Sequence, residues 1–168
     1  MKLIVAVDSD WGIGYMGKLL EKIPEDLNFF KDKTIDKIVV MGRETFESLP
    51  GRKPLKGRTN IILTKKGVDS GNVITCDSVE SLFKELEKYD DEDIFIIGGA
   101  SVYSQLLDYC SDAFVTKINK SHTADKYFKN LDEMNNWVLT EKSEIKNYEG
   151  TEFFFTRYIN KNIKKPAF

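Results

Sequence analysis

A carboxylate set among apolar neighbours is the first feature of this chain with chemistry in it. Asp26 lies in Ile23-Pro24-Glu25-Asp26-Leu27-Asn28-Phe29-Phe30. Pro24 marks a helix start, because proline lacks only a donor that the first turn leaves unused. The helix dipole favours negative charge there, so one reading makes Asp26 a solvent-facing helix acid. The other makes it a ligand group, since Leu27 and Phe30, with Leu20 and Ile23, can wall one side of it. That arrangement suits a flat, nitrogen-rich ring.

The second chemical pattern is a pair of strand-glycine-helix junctions, Met41-Gly42-Arg43-Glu44-Thr45 and Ile97-Gly98-Gly99-Ala100-Ser101. Each presents free backbone N–H groups and a positive dipole end to an anion, and with Arg43 the two together suit a pyrophosphate. Thr64, Lys65 and Lys66 close a third strand, where they can hold a further phosphate such as the ribose 2′-phosphate that separates NADPH from NADH. Arg58 stands just before a buried strand, and either anchors a ligand carboxylate or pairs with a protein acid. Gly12, Gly14 and Gly17 spell a G-x-G-x-x-G pattern, but no strand runs straight into them and no helix opens on them. The match is therefore accidental, and the glycines serve a loop.

The elements that must position these groups follow from periodicity. The unbroken apolar run Leu3 to Val7 reads as a strand buried on both faces, Ile38 to Met41 and Ile94 to Ile97 as further buried strands, and Asn60 to Leu63 and Phe114 to Ile118 as strands beside them. A short strand is expected around Val73-Ile74. Helices are expected from Pro24, over Arg43 to Leu49, over Val79 to Leu86 with a capping-box-like start at Asp77 and Glu80, and from Ala100 to about Leu107. Asp8 to Gly17 reads as a long mobile loop. Trp137 to Glu141 and Glu152 to Tyr158 read as an antiparallel hairpin with a turn near Asn147 to Gly150. The fold class is thus α/β, a single three-layer domain over residues 1–160. Its central sheet is mostly parallel, with about eight strands, an antiparallel C-terminal hairpin and about four flanking helices. Residues 161–168 read as a basic, frayed tail.

Composition narrows the class. With 41% hydrophobic and 31% charged residues and a net charge of −2, the chain is an ordinary globule and no general nucleic-acid binder. Cys76, Cys110 and the single His122 make neither a disulfide framework nor a metal site. No apolar run is long enough for a signal segment or a membrane span, so a cytoplasmic location is expected.

These residues, from Ile4-Val5-Ala6 and Gly12-Ile13-Gly14 through Ile23 to Leu27, Val40 to Leu49, Gly57-Arg58, Asn60 to Thr64, Ile97-Gly98-Gly99, Val102-Tyr103 and Thr116, resemble bacterial chromosomal dihydrofolate reductase. The resemblance implies reduction of 7,8-dihydrofolate to 5,6,7,8-tetrahydrofolate by hydride transfer from NADPH, supplying one-carbon metabolism and thymidylate and purine synthesis. It implies a monomer whose ligands are dihydrofolate, folate and antifolates, with no metal, nucleic acid or membrane partner. By position, the resemblance places Asp26, Thr116 and Leu19 in the catalytic set, Asp26 promoting pterin protonation through water. Val5, Ala6, Leu27, Phe30, Ser48, Leu49, Arg52, Arg58, Ile97 and Tyr103 would contact substrate, Arg58 clamping the glutamate α-carboxylate. Ala6, Ile13, Gly14, Gly17, Lys18, Leu19, Gly42, Arg43, Glu44, Thr45, Leu63, Thr64, Lys65, Lys66, Ile97, Gly98, Gly99, Ala100, Ser101, Val102 and Tyr103 would hold the cofactor. In that family the glycines matching Gly98 and Gly99 are joined by a cis peptide.

Two departures stand out. Glu21 occupies the position usual for tryptophan in the loop that closes over the nicotinamide, and an outward orientation is expected, away from Asp26. Ser101 replaces an arginine that some relatives place near the 2′-phosphate, which leaves more of that work to Lys65 or Lys66. A pyrimidine reductase of riboflavin synthesis is the enzyme alternative, and a non-catalytic pterin and NADPH-binding module is the other.

Overall fold

Leu3, Val5 and Val7 on one face of the first strand and Ile4 on the other are all buried, so that strand runs through the middle of the molecule. The computed structural model describes residues 1–168. In chain order its strands are β1 (Lys2–Val7), β2 (Gly12–Gly14), β3 (Ile38–Gly42), β4 (Thr59–Leu63), β5 (Ile74–Cys76), β6 (Ile94–Gly98), β7 (Asp112–Ile118), β8 (Lys126–Tyr127), β9 (Trp137–Lys142), β10 (Lys146–Tyr148) and β11 (Thr151–Asn160). The helices are α1 (Pro24–Thr34), α2 (Arg43–Ser48), α3 (Val79–Leu86) and α4 (Ala100–Leu106).

Nine strands form the main sheet in the order β10-β11-β7-β1-β6-β3-β4-β5, with β9 also paired to β11. Because β9 and β10 share one edge of β11, the sheet is eight strands wide. Strands β7 to β5 across the centre are parallel, and β11 turns the sheet antiparallel against β7. The C-terminal expectation needs refinement: Glu149 and Gly150, both at positive φ, close a tight β10–β11 hairpin, and β9 pairs with the far half of β11.

One ladder is unusually short. Strand β1 pairs with β7 from Lys2↔Asp112 to Val7↔Lys117, but with β6 only at Lys2↔Phe95 and Leu3↔Ile96. Beyond those pairs β1 and β6 part. The Ile4 carbonyl, left without a neighbouring strand, accepts instead from the buried Tyr103 hydroxyl at 2.6 Å, as a buried acceptor must find some donor.

The expected mobile loop is a strap with structure of its own. Gly12–Gly14 pairs with Lys126–Tyr127 in a two-stranded ribbon, Tyr15 and Lys18 face each other across a turn, and Trp11 is buried against Phe128. The glycine series therefore lies in a strand and a turn. Helix α3 is capped one residue later than expected: Ser78 and Ser81 exchange side-chain-to-backbone hydrogen bonds at 3.1 Å, and Asp77 only accepts from the Ser81 hydroxyl. The fifth strand likewise sits at Ile74–Cys76. Residues 161–168 carry no regular element, although Lys164 binds Asp108 through both its backbone N–H and its ammonium. No helix is long and apolar enough to cross a membrane.

Helix α1 begins on Pro24 with no side-chain cap, so packing must fix its first turn. Ile23, 1% exposed, supplies it by packing with Ile118 and Phe153. Replacing it by alanine is expected to cost about 2–5 kcal/mol by urea unfolding.

Candidate active site

Asp26 is the third residue of α1, and the Ile23 anchor turns that end of the helix toward β7. There the hydroxyl of Thr116, buried on β7 opposite Ala6 of β1, donates to Asp26 Oδ1 at 2.6 Å. Burial pushes the Asp26 carboxyl above its usual range, and the Thr116 bond pulls it back with smaller effect. A carboxyl raised on folding favours the native state most at low pH, and loses that contribution as pH rises through the raised value. The group is thus kept ready to hold a proton. Of its expected apolar wall, Phe30 packs against the Ile4, Phe95 and Phe114 cluster while Leu27 is 45% exposed. Ile23 points elsewhere, since its place is under the helix.

The parted ends of β1 and β6 form the neighbouring wall, with Val5 and Ala6 on one strand and Ile97 and Gly98 on the other. The Gly98–Gly99 peptide is cis. The two glycine junctions meet here because β3 and β6 are adjacent. A Cβ on Gly42 would stand 3.1 Å from Val102 Cγ2 and 4.0 Å from the Gly99 nitrogen, and one on Gly99 would stand 3.2 Å from Thr45 Oγ1. Neither α2 nor α4 has a side-chain cap, so their first-turn N–H groups face outward unspent. Arg43 is tied by its Nε to Glu47 at 2.8 Å, which leaves its terminal nitrogens available. Lys65 and Lys66 are exposed beyond β4, where Thr64 Oγ1 closes a small turn with the Lys66 backbone. Glu44 and Ser101 are exposed, and Leu63 is half-buried.

Arg58 donates from Nε to Thr34 Oγ1 at 3.2 Å and from Nη1 to the Lys56 carbonyl at 2.8 Å, with Phe30 beside it at 6.0 Å. Its partners are all neutral oxygens, so the protein-acid reading has no support and the guanidinium keeps donors for an external anion. Ser48 and Arg52 are exposed, Arg52 at φ 52° after the α2 turn, and Leu49 is half-buried between them.

On the strap, Ile13 and Gly14 are half-buried while Gly17, Lys18 and Leu19 are exposed. Glu21 does turn from Asp26, but toward protein: its Oε1 accepts from Lys120 Nζ at 3.0 Å and lies 3.0 Å from His122 Nε2. These contacts, His122 first, hold its carboxyl below the usual range. The roles of His122, Lys120 and Asp8 here were not read from the sequence. A usable signal was the cluster of acids Asp8, Asp10 and Glu21 in one segment, which calls for cations from another.

A sequence profile of the dihydrofolate reductase family matches residues 1–160. Dihydrofolate reductase of Buchnera aphidicola subsp. Acyrthosiphon pisum is 34% identical over 88% of this chain and 90% of its own. The enzyme of Buchnera aphidicola subsp. Baizongia pistaciae is 34% identical over 97% and 98%. Among solved structures, dihydrofolate reductase from Enterococcus faecalis complexed with NADP(H) and RAB-propyl superposes with a TM-score of 0.84. It is 31% identical, over 95% of each chain.

Because the Thr116 hydroxyl favours the ionised carboxylate, Thr116→Val is expected to move the Asp26 titration to higher pH, as followed by carboxyl-carbon NMR. An unmoved titration would mean that the 2.6 Å bond does not bias the group.

Proposed function

Because the chain belongs to the dihydrofolate reductase family, we propose that it carries out its reduction of 7,8-dihydrofolate to 5,6,7,8-tetrahydrofolate between the parted ends of β1 and β6, with Asp26 handling the proton. The observation that carries this reading is the half-buried, raised Asp26 carboxyl held by Thr116 at the mouth of that parting.

The residues fit NADPH. Gly42 and Gly99 leave space where a Cβ would crowd Val102 and Thr45, and the uncapped first turns of α2 and α4 offer N–H donors to a pyrophosphate. Arg43, Thr64, Lys65 and Lys66 supply the cationic and hydroxyl groups for a 2′-phosphate, and Ala6, Ile13, Gly14 and Tyr103 the nicotinamide end. Bound there, NADPH supplies the hydride.

The protein then needs to align, to exclude water and to manage one proton. Asp26 accepts from the pterin amino group and ring nitrogen. Its raised pKa lets it favour the protonated imine through a bridging water, so rate falls as pH rises through that value. Val5, Leu27, Phe30, Leu49 and Ile97 enclose the ring and benzoyl group. Arg58, already oriented by Thr34 and Lys56, turns its remaining donors to the glutamate α-carboxylate. A pyrimidine without such a tail would have no use for that arginine.

Loss of NADPH absorbance with dihydrofolate tests the reading. Asp26→Asn is expected to slow hydride transfer by about 10²- to 10⁴-fold at neutral pH, with partial recovery at low pH where the substrate takes its own proton. Tight binding of both ligands without turnover by the wild type would instead make the chain a binding module. Arg58→Leu is expected to raise the KM for dihydrofolate by roughly 10- to 100-fold, the worth of a lost charge-assisted pair, with kcat little changed. A KM that stays put would take the tail away from Arg58.

A further inference from the structure

Asn60, the second residue of β4, is 3% exposed, and its amide is spent entirely on the turn that carries Arg58. Its Oδ1 accepts from the Leu55 backbone N–H at 2.9 Å, and its Nδ2 donates to the Leu55 carbonyl at 2.9 Å and to the Arg58 carbonyl at 3.1 Å. A carboxamide can bond the N–H and the C=O of one residue at the same time, as a neighbouring strand does. The far side of the turn is pinned as well. The Asp36 N–H donates to the Gly57 carbonyl at 2.7 Å, and Gly57, at φ 75°, sits so close to the α1–β3 connection that a Cβ there would stand 2.7 Å from Ile35 Cδ1. Residues 55–58 are thus fixed from two sides, and on the β4 side one buried side chain does all of the fixing.

We propose that Asn60 is a positioning residue for Arg58: by holding the 55–58 turn it sets the guanidinium, before any ligand arrives, in the orientation that grips the carboxylate tail of the substrate. The inference rests on the reading of Arg58 as the clamp for the glutamate α-carboxylate. Asn60 does not touch the guanidinium and acts through the backbone. Of the two groups that hold the guanidinium, Thr34 Oγ1 belongs to α1, where its hydroxyl donates to the Phe30 carbonyl at 2.8 Å, and the Lys56 carbonyl belongs to the turn. Lys56 lies between the two residues that Asn60 grips. Released from Asn60, the turn would lose the carbonyl that aims Nη1, and the Arg58 backbone would drift from Thr34. Like charges add to that tendency, since Arg52, Lys53, Lys56 and Arg58 follow one another along this segment. A long cationic side chain that its ligand must order makes a weak pair, whereas one already ordered by the fold binds without that loss.

The test compares wild type, Asn60→Ala, Arg58→Leu and the double variant, each full length and assayed below its own thermal midpoint. Folate is titrated against the methylamide of pteroate, which has the same ring and benzoyl group but no carboxylate, with tryptophan fluorescence as the signal. Asn60→Ala is expected to weaken folate binding by about 3- to 10-fold, the effect of having to order one long side chain at binding, and to leave the methylamide unchanged. The KM for dihydrofolate is expected to rise by the same factor with kcat unmoved, and Asn60→Ala is expected to add nothing in the Arg58→Leu background. A residue that only stabilised the fold would weaken both ligands alike or neither, and its effect would add to that of Arg58→Leu; any of these results would overturn the inference. If Asn60→Ala does not fold, Asn60→Ser, which keeps a hydroxyl for one of the three bonds, decides on the same readings. Wild-type folate binding by Arg58→Leu would overturn the tail clamp and the role of Asn60 with it. Weakened binding by Arg58→Leu beside an unchanged Asn60→Ala would overturn the role of Asn60 alone.

Discussion

The whole arrangement depends on two adjacent parallel strands that stop pairing early. After Leu3↔Ile96 the backbones of β1 and β6 diverge, and the polar groups thereby freed would be costly if buried without partners. Tyr103 satisfies one of them from α4, which ties the position of that helix to the opening itself. Since α4 begins at the second glycine junction, the same bond sets the height of its N-terminus relative to the sheet. The first junction follows, because β3 lies beside β6 and Gly42 lies against Val102. The proposed ring site and the proposed anion site are in this way two consequences of one interrupted ladder.

Two carboxylates near that opening show how placement alone divides their duties. Asp8 is saturated, accepting from three backbone N–H groups and facing an imidazole, so it serves as a fixed anchor. Asp26 has a single hydroxyl partner and a desolvated setting, so its charge is poorly supported. The residue type is the same in both. A chemical role goes to the one that the protein leaves short of donors.

Much of this could be read in the chain before its folding was seen, and the physical reasons differ by element. The central strands announce themselves as unbroken apolar runs because both faces are covered, and Pro24 and the two glycine junctions mark helix starts by backbone constraint. Asp26 was legible as an acid in apolar company. The β2–β8 ribbon was not, since a three-residue strand with two glycines paired to a two-residue strand has no period to detect. Ser78 and Asp77 are both good caps, and only the register of the following turn chooses between them. Glu21 was visible as an odd residue, but its partners Lys120 and His122 lie about a hundred positions away, and pairings at that range are set by the fold.

The sheet's two margins bear on a different matter, the behaviour of the protein at high concentration. A wide parallel sheet with an apolar centre risks recruiting further strands at its open sides. Here one side ends in β5, three residues long, and the other is divided between β10, also three residues, and β9, with a register shift between Arg157 and Tyr158 along β11. Lys142 and Lys146 add charge on that second side. Neither margin gives another chain a long, straight row of unpaired N–H and C=O groups to copy. The interior can therefore be as apolar as the fold demands without the edges turning it into a template for aggregation.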